Sequence, residues 1–162
     1  MVTTRIKRKV GGKVERVEET PPMKVKKVRK HKSERTLRVE KLDAMWSLAV
    51  RLRDNFTDRK TGIRDPGKGI MEAMHIYGRA NYATRWLTDN GLTGGYYTHI
   101  CWGHRCPVEF AQWAEQELGP KKWKELTEKS KQMVKVNTAF MDEAEKRLLA
   151  EIDDLSLVRE LT

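Results

Sequence analysis

The residues best suited to chemistry lie close together in the middle of the chain. His75 is followed fifteen residues later by Asn90, and His99 comes nine residues after that. A neutral imidazole with a pKa near 6.5 can take a proton from water at neutral pH. A second imidazole can bind a divalent cation, which would stabilise the charge on a leaving oxygen. Residues of these types can together carry out a metal-assisted hydrolysis.

The segment that must position these side chains differs in composition from the rest of the chain. Residues 70–106 contain three of the four histidines, both cysteines and a concentration of aromatic residues. Their short apolar runs are broken by Gly and Asn, a pattern that predicts small strands and irregular turns. We therefore expect any active site to be built on this segment.

Amphipathic helices are predicted on both sides of this segment. Apolar residues recur at helical spacing from Leu42, which predicts a helix of roughly 12 residues, and residues 55–69 predict a long loop or a weak hairpin. Later helices are predicted from Pro107 to a stop at Gly119-Pro120, around residues 123–136, and from about Ala139. The expected fold class is α+β and mostly helical.

The net charge of +10 lies entirely in the first quarter of the chain. Residues 1–41 hold 15 Lys and Arg against 5 Asp and Glu, whereas residues 42–162 hold 18 against 18. The first segment lacks aromatic residues and is poor in apolar ones, so we predict a disordered basic arm over residues 1–40. Such an arm binds DNA by releasing counterions, and a solvated tail that only aids solubility is the alternative. The expected DNA contacts in the arm are Lys24, Lys26, Lys27, Arg29 and Lys30.

Membrane and secreted classes are not favoured by the sequence. No run of about 18 apolar residues occurs, and no apolar segment follows the basic N-terminus. The two cysteines, Cys101 and Cys106, are too few and too close together to staple a small secreted scaffold. These observations predict a soluble, cytoplasmic protein with reduced thiols and no membrane partner.

The residues around the two histidines add a family resemblance. The string MHIYGRANYATRWLTDNGLTGGYYTH, followed by an aromatic-rich helix and LGPKKWKEL, resembles the NinG/Rap family of phage recombination endonucleases, in the HNH or ββα-metal superfamily. The resemblance covers roughly residues 42–135. It implies a small ββα-metal element packed among helices, in a nuclease domain over residues 41–137. Residues 138–162 are then a C-terminal amphipathic helix for packing or homodimerisation.

The resemblance also implies roles for individual side chains. His75 is the expected general base, and Asn90 is expected to fix the His75 ring or the loop beside it through an amide hydrogen bond. His99 is the expected ligand of one Mg²⁺ or Mn²⁺ ion. Glu72 or Asp89 is expected to be a further ligand or to orient a histidine.

Two arginines of the same segment are expected to contact the DNA backbone. A guanidinium matches phosphate oxygens with two hydrogen bonds, which suits Arg79 and Arg85. The alternative for either residue is an ordinary salt bridge, and Asp89 is close in sequence to Arg85.

The chain also departs from the family pattern. The family's Cys-x-x-Cys is replaced by residues 95–98, no cysteine pair occurs in residues 56–66, and Met74 stands where many HNH enzymes have an aspartate ligand. A structural Zn²⁺ is therefore not expected at those positions. A different zinc site from His99, Cys101, His104 and Cys106 stays open as an alternative. Packing by Tyr96, Tyr97 and Trp102 is expected to hold the ββα element instead.

Two functions are compatible with these residues. The first is a metal-dependent DNA endonuclease, which the resemblance directs to branched recombination intermediates such as D-loops and Holliday junctions, in a phage-encoded protein of a bacterial host. The alternative is a non-catalytic DNA-binding or architectural protein on a decayed HNH scaffold. The departures from the family pattern favour the alternative.

Overall fold

Long helices precede and follow a small antiparallel sheet. The computed structural model describes residues 31–160, and from Lys32 onward they belong to one compact unit. The fold is α+β and mostly helical, as predicted. The elements in chain order are α1 (Glu34–Arg53), β1 (Met71–His75), a 3₁₀ turn (Thr88–Asn90), β2 (Gly91–Gly95), a π-helix (Tyr97–Gly103), α2 (Pro107–Ser130) and α3 (Thr138–Glu160).

Helix α1 starts eight residues earlier than the sequence pattern predicts. The Ser33 hydroxyl caps the helix by accepting a hydrogen bond from the Thr36 N–H at 3.2 Å. The helix therefore runs through residue 40, where the basic arm was expected to end. Residues 34–37 are exposed, so hydrophobic periodicity could not reveal this first turn, whereas Val39, three residues before Leu42, packs against the core and was missed.

Helix α3 packs along α1. Arg38 and Lys41, near the start of α1, pair with Asp142 and Glu145 near the start of α3. At the other end, the Arg159 guanidinium lies over the ring of Phe56. The two helices thus run parallel, and α3 packs on its own chain. No helix among residues 31–160 combines the length and the apolar character needed to cross a membrane.

The two strands pair in antiparallel register and bury a different cluster on each face. Met71 faces Gly95 and His75 faces Gly91 across the ladder. One face packs against α1 and α3 around Trp46, and the other packs against α2 around Met74 and Phe110. Glycines in β2 permit this close packing, because a Cβ on Gly91 would lie 2.5 Å from the Trp46 ring.

Turn-forming residues give the connections that the sequence predicts. Residues 55–70 form a loop in which one bridge pairs Thr57 with Arg64. Pro107 occupies the first turn of α2, and Gly119 interrupts that helix with a φ of 75°. Proline cannot donate the backbone hydrogen bond that would continue the helix, so Pro120 begins a second, kinked segment.

A buried carboxylate, rather than the two tyrosines, joins the loop to the hairpin. Asp58 accepts hydrogen bonds from the N–H groups of Gly95 at 2.9 Å, Lys60 at 2.9 Å and Thr61 at 3.0 Å. Burial alone would raise the pKa of Asp58, but these hydrogen bonds hold it below its ordinary value.

The expected packing role holds for only one of the three aromatic residues named for it. Tyr96 and Tyr97 are exposed, so the expectation is wrong for both. Trp102 does pack as expected, with its ring centroid 5.5 Å from that of Trp113 and the Lys60 ammonium 3.6 Å above it.

Candidate active site

A cleft of about 830 Å³ opens between the end of β1, the π-helix and the start of α2. Both histidines that the sequence singled out contribute to its walls. The side chains with polar chemistry in this lining are His75, Arg79, His99 and His104.

His75 is the last residue of β1, and its ring is held from two directions. The ring stacks on Trp46 with centroids 3.7 Å apart. Its Nε2 lies 3.1 Å from the carbonyl oxygen of Arg85. Because a carbonyl oxygen only accepts hydrogen bonds, Nε2 carries the hydrogen, and Nδ1 keeps its lone pair. The ring is thereby set in the tautomer that a proton acceptor at Nδ1 requires.

The surroundings of His75 keep it neutral. Burial, the largest effect, together with the positive charge of Arg79, lowers the pKa of His75 to about 4. The Arg85 carbonyl and the Asp43 carboxylate act in the opposite direction but do not compensate for burial. At neutral pH essentially every molecule therefore has an unprotonated Nδ1.

An ion pair from α1 fixes the backbone that holds His75. Asp43 accepts hydrogen bonds from Arg85 Nε at 2.9 Å and Nη2 at 2.7 Å, and from Trp86 Nε1 at 2.8 Å. Arg85 Nη1 also donates to the Arg79 carbonyl at 2.8 Å. Arg85 is thus engaged in the salt bridge that was the alternative to phosphate contact, although its partner is Asp43 and not Asp89. Sequence reasoning missed Asp43, because hydrophobic spacing in α1 does not identify a polar residue that lies off the apolar face.

Asn90 fixes the loop that follows His75. Its side-chain oxygen accepts a hydrogen bond from the Tyr77 N–H at 2.7 Å, and its amide nitrogen donates to the Tyr77 carbonyl at 2.9 Å. The Asn90 side chain is fully buried. Of the two placements expected for this amide, the structure shows the one on the loop rather than on the imidazole ring.

Glu72 orients His99 on the other wall of the cleft. The Glu72 carboxylate lies 2.7 Å from His99 Nδ1, so Nδ1 carries the hydrogen, and in the neutral ring Nε2 is the nitrogen with the lone pair. A carboxylate bonded in this way to one imidazole nitrogen is the usual support of a histidine that binds metal through the other. The contact matches the orienting role, one of the two expected for Glu72.

The π-helix brings His104 beside His99. The His104 N–H donates to the His99 carbonyl at 3.1 Å, a bond across five residues, and the two ring centroids lie 4.7 Å apart. In an α-helix, residues five apart would point about 140° away from each other. The sequence contains no signal for this π-helical turn, so it indicated His104 only as a member of the alternative zinc cluster.

The alternative zinc cluster of His99, Cys101, His104 and Cys106 does not form in the structure. Within residues 31–160, no group of three or more His, Cys, Asp or Glu side chains is arranged to hold a metal ion. Cys101 and Cys106 are free thiols. The H-x-C-x2-H-x-C spacing therefore does not form a four-ligand cage, because the π-helix pairs only its two histidines.

The other predicted residues divide between the cleft and the surface. Arg79 lines the cleft, and its guanidinium makes no hydrogen bond or ion pair with the residues that the structure describes. Asp89 lies outside the cleft, where it bonds to Lys122 at 2.8 Å, so the structure does not bring it to a metal site. The predicted arm contacts, Lys24, Lys26, Lys27, Arg29 and Lys30, lie outside the described residues.

Comparison with known proteins found no match to a family model, to a curated protein or to a solved structure.

Proposed function

We propose that this protein is a metal-dependent DNA endonuclease of the HNH type. One observation carries the proposal: an imidazole with a free Nδ1 and an imidazole with a free Nε2 line the same cleft. The first, His75, ends β1, and the second, His99, lies on the helix after β2. The order of two strands followed by a helix, with these two side chains on the first strand and on the helix, also supports the resemblance to the HNH nucleases.

His75 is the general base of the proposed reaction. Its Nδ1 accepts a proton from the attacking water, while the Nε2–H bond to the Arg85 carbonyl holds the ring in place. The proton makes His75 an imidazolium, which the negative charge of a bound phosphate would stabilise. The same charge would raise the pKa of His75 from its low value toward the range useful for catalysis.

His99 and His104 are the side chains that would hold the cation, with Glu72 supporting His99. A bound Mg²⁺ or Mn²⁺ would supply positive charge to the leaving 3′ oxygen and to the scissile phosphate. Two imidazole donors suit Mn²⁺ better than Mg²⁺, because Mg²⁺ prefers oxygen ligands and retains several waters.

Arg79 supplies the phosphate contact in this proposal. It lines the cleft without an ion-pair partner among the described residues, whereas Arg85 is held by Asp43. Three parts of the proposal come from the family resemblance. They are branched recombination intermediates as substrates, a homodimer that makes paired cuts, and a phage-encoded protein of a bacterial cytoplasm. A symmetric dimer would place two clefts on the two strands of a junction.

The test is cleavage of supercoiled plasmid and of a synthetic four-way junction in Mg²⁺, Mn²⁺ or EDTA. We expect cutting that requires the ion and falls at least about 100-fold in His75→Ala, with DNA affinity retained. Asp89→Asn is the matched control, since Asp89 lies outside the cleft, and it should cut like the parent chain. Equal cutting by His75→Ala and the parent chain would refute the assignment of the base.

DNA binding without cleavage is the second candidate function. Its supporting observation is that Met74, which stands where many HNH enzymes have an aspartate ligand, is a buried apolar side chain that offers no oxygen ligand beside His75. Binding of both DNAs without cutting in either ion would favour this candidate.

A further inference from the structure

Several large exposed side chains gather at one end of the hairpin. Tyr96 and Tyr97 are adjacent and have 66% and 72% of their surfaces exposed. Ile63 and Ile70 are also exposed. We call these four residues the tyrosine edge. Apolar side chains that cluster on a surface, rather than being scattered singly, mark an interaction site.

Hydrogen bonds of the surrounding loop fix the position of the tyrosine edge. The Asp58 N–H donates to the Ile63 carbonyl at 2.8 Å, and the Asp58 carboxylate accepts from the N–H of Gly95, the residue before Tyr96. The Asp65 carboxylate accepts from the Ile70 N–H at 3.0 Å. The edge is therefore held in place before any partner binds, which lowers the entropy cost of binding.

The two tyrosine rings have no partner within the described part of the chain. Neither ring contacts another ring, and neither hydroxyl makes a hydrogen bond there. A tyrosine buried in a core normally finds a partner for its hydroxyl group. The surfaces of both tyrosines are thus mostly exposed to solvent and available to a partner.

The tyrosine edge continues the wall of the candidate active site. Alternate residues of a strand share a face, so Ile70 lies on the same side of β1 as Glu72 and Met74. Glu72 holds His99, and Met74 lines the cleft. At about 3.3 Å per residue, Ile70 is about 13 Å from Met74, the length of roughly four base steps of a DNA strand.

The charges beside the tyrosine edge suit a polyanion. The loop over residues 55–70 holds four Lys and Arg against two Asp, a net charge of +2. Aromatic faces next to lysines and to a phosphate-binding cleft are the features of a surface that stacks nucleobases.

We propose that the tyrosine edge stacks unpaired nucleobases next to the phosphodiester held in the cleft. The inference rests on the proposed function and adds a binding surface to it: the tyrosine edge takes unpaired bases near the cut, as in a single-stranded flap. Bases inside an intact duplex are already stacked on their neighbours and cannot present a free face to the tyrosines. Stacking on one aromatic side chain changes affinity by about 5- to 150-fold.

The test compares two double variants of the full chain, Tyr96→Ala with Tyr97→Ala and Tyr96→Phe with Tyr97→Phe. Binding is measured in EDTA to a plain duplex and to the same duplex with a five-nucleotide flap that contains 2-aminopurine. We expect the parent chain and the Phe variant to prefer the flap and to quench 2-aminopurine. The Ala variant should lose about 10-fold of the preference without a change in duplex affinity. Leu157→Ala, at an exposed apolar residue elsewhere, should behave like the parent chain.

Several results would overturn the inference. A parent chain without flap preference, an Ala variant that keeps the preference, or equal loss of flap and duplex binding each contradicts stacking. An Ala variant that keeps the preference but becomes monomeric, where the parent chain is dimeric, would instead assign the edge to a second copy of the chain.

The inference and the proposed nuclease can fail separately. Tyrosine-dependent flap binding without ion-dependent cleavage would leave the stacking site and remove the enzyme. Cleavage that depends on His75, together with flap binding that does not depend on the tyrosines, would leave the enzyme and remove the stacking site.

Discussion

Replacing Asp43 by Asn tests the anchor that holds His75. The Asp43 carboxylate receives two hydrogen bonds from Arg85 and one from Trp86, and the side chains of Asp43 and Arg85 are only 20% and 11% exposed. Burial alone would raise the pKa of Asp43, but the bonds from Arg85 and Trp86 hold it below its ordinary value. Asp43 is therefore ionised at neutral pH, and Asp43→Asn removes its charge.

The size of the effect follows from the guanidinium that is left behind. Breaking a fully buried pair costs about 3–5 kcal/mol, because the remaining charge stays desolvated. Asp43 and Arg85 are partly hydrated, and Asn keeps one acceptor, so we expect a loss of about 2 kcal/mol. The control is Asp89→Asn, which breaks the ion pair of Asp89 with Lys122. The side chains of Asp89 and Lys122 are 42% and 55% exposed. A pair so exposed contributes about 0.5 kcal/mol or less.

Urea unfolding at pH 7 measures both losses, and the ¹⁵N shifts of the His75 ring report whether its Nε2–H tautomer persists. We expect Asp43→Asn to lower the free energy of unfolding and to weaken the tautomer preference, since the Arg85 carbonyl is no longer held. If Asp43→Asn and Asp89→Asn differ by less than about 0.5 kcal/mol, the pair contributes no more than a surface pair. The anchoring of His75 by Asp43 would then be wrong.

Three further predictions concern stability and DNA binding. Because the pKa of His75 is about 4 in the folded chain and near 6.5 when unfolded, the folded state binds fewer protons between these values. The contribution of His75 to the free energy of unfolding is therefore fully present above pH 6.5 and is lost toward pH 4, by about 1–2 kcal/mol after allowance for partial exposure. Urea unfolding of His75→Gln should lack this pH-dependent loss, and the same pH slope in the variant and the parent chain would contradict the prediction. Gly91→Ala should lower the free energy of unfolding by about 2 kcal/mol, because the new methyl group would meet the Trp46 ring. Gly95→Ala makes ordinary contacts and should lower it by less than about 1 kcal/mol. Similar denaturation midpoints for the two variants would count against this packing. Deleting residues 1–31 should weaken DNA binding and flatten its dependence on salt, and the same salt slope with and without the segment would exclude it as the DNA contact.

Local signals in the sequence were enough to predict much of the fold. Gly119-Pro120 marks the break in α2 because glycine accepts a positive φ and proline lacks an N–H. The Gly-broken segment after residue 70 predicted short strands, and two are present. Each of these predictions depends on residues that are neighbours along the chain.

The start of α1 shows where such signals end. Its first turns are charged, and their side chains contact α3 more than a hundred residues away. Hydrophobic periodicity reports which positions face a core, so it is silent on the exposed first turn, residues 34–37, which the Ser33 cap begins.

The candidate site divides in the same way. Its principal residues, His75, Asn90 and His99, could be selected from the sequence, because side-chain chemistry and spacing are properties of the sequence itself. Only the tertiary structure decided that Asp43 holds Arg85 across 42 positions and that a π-helical turn pairs His104 with His99. Side-chain chemistry is a property of each residue, whereas partner, burial and tautomer depend on atoms that folding brings together from distant parts of the chain.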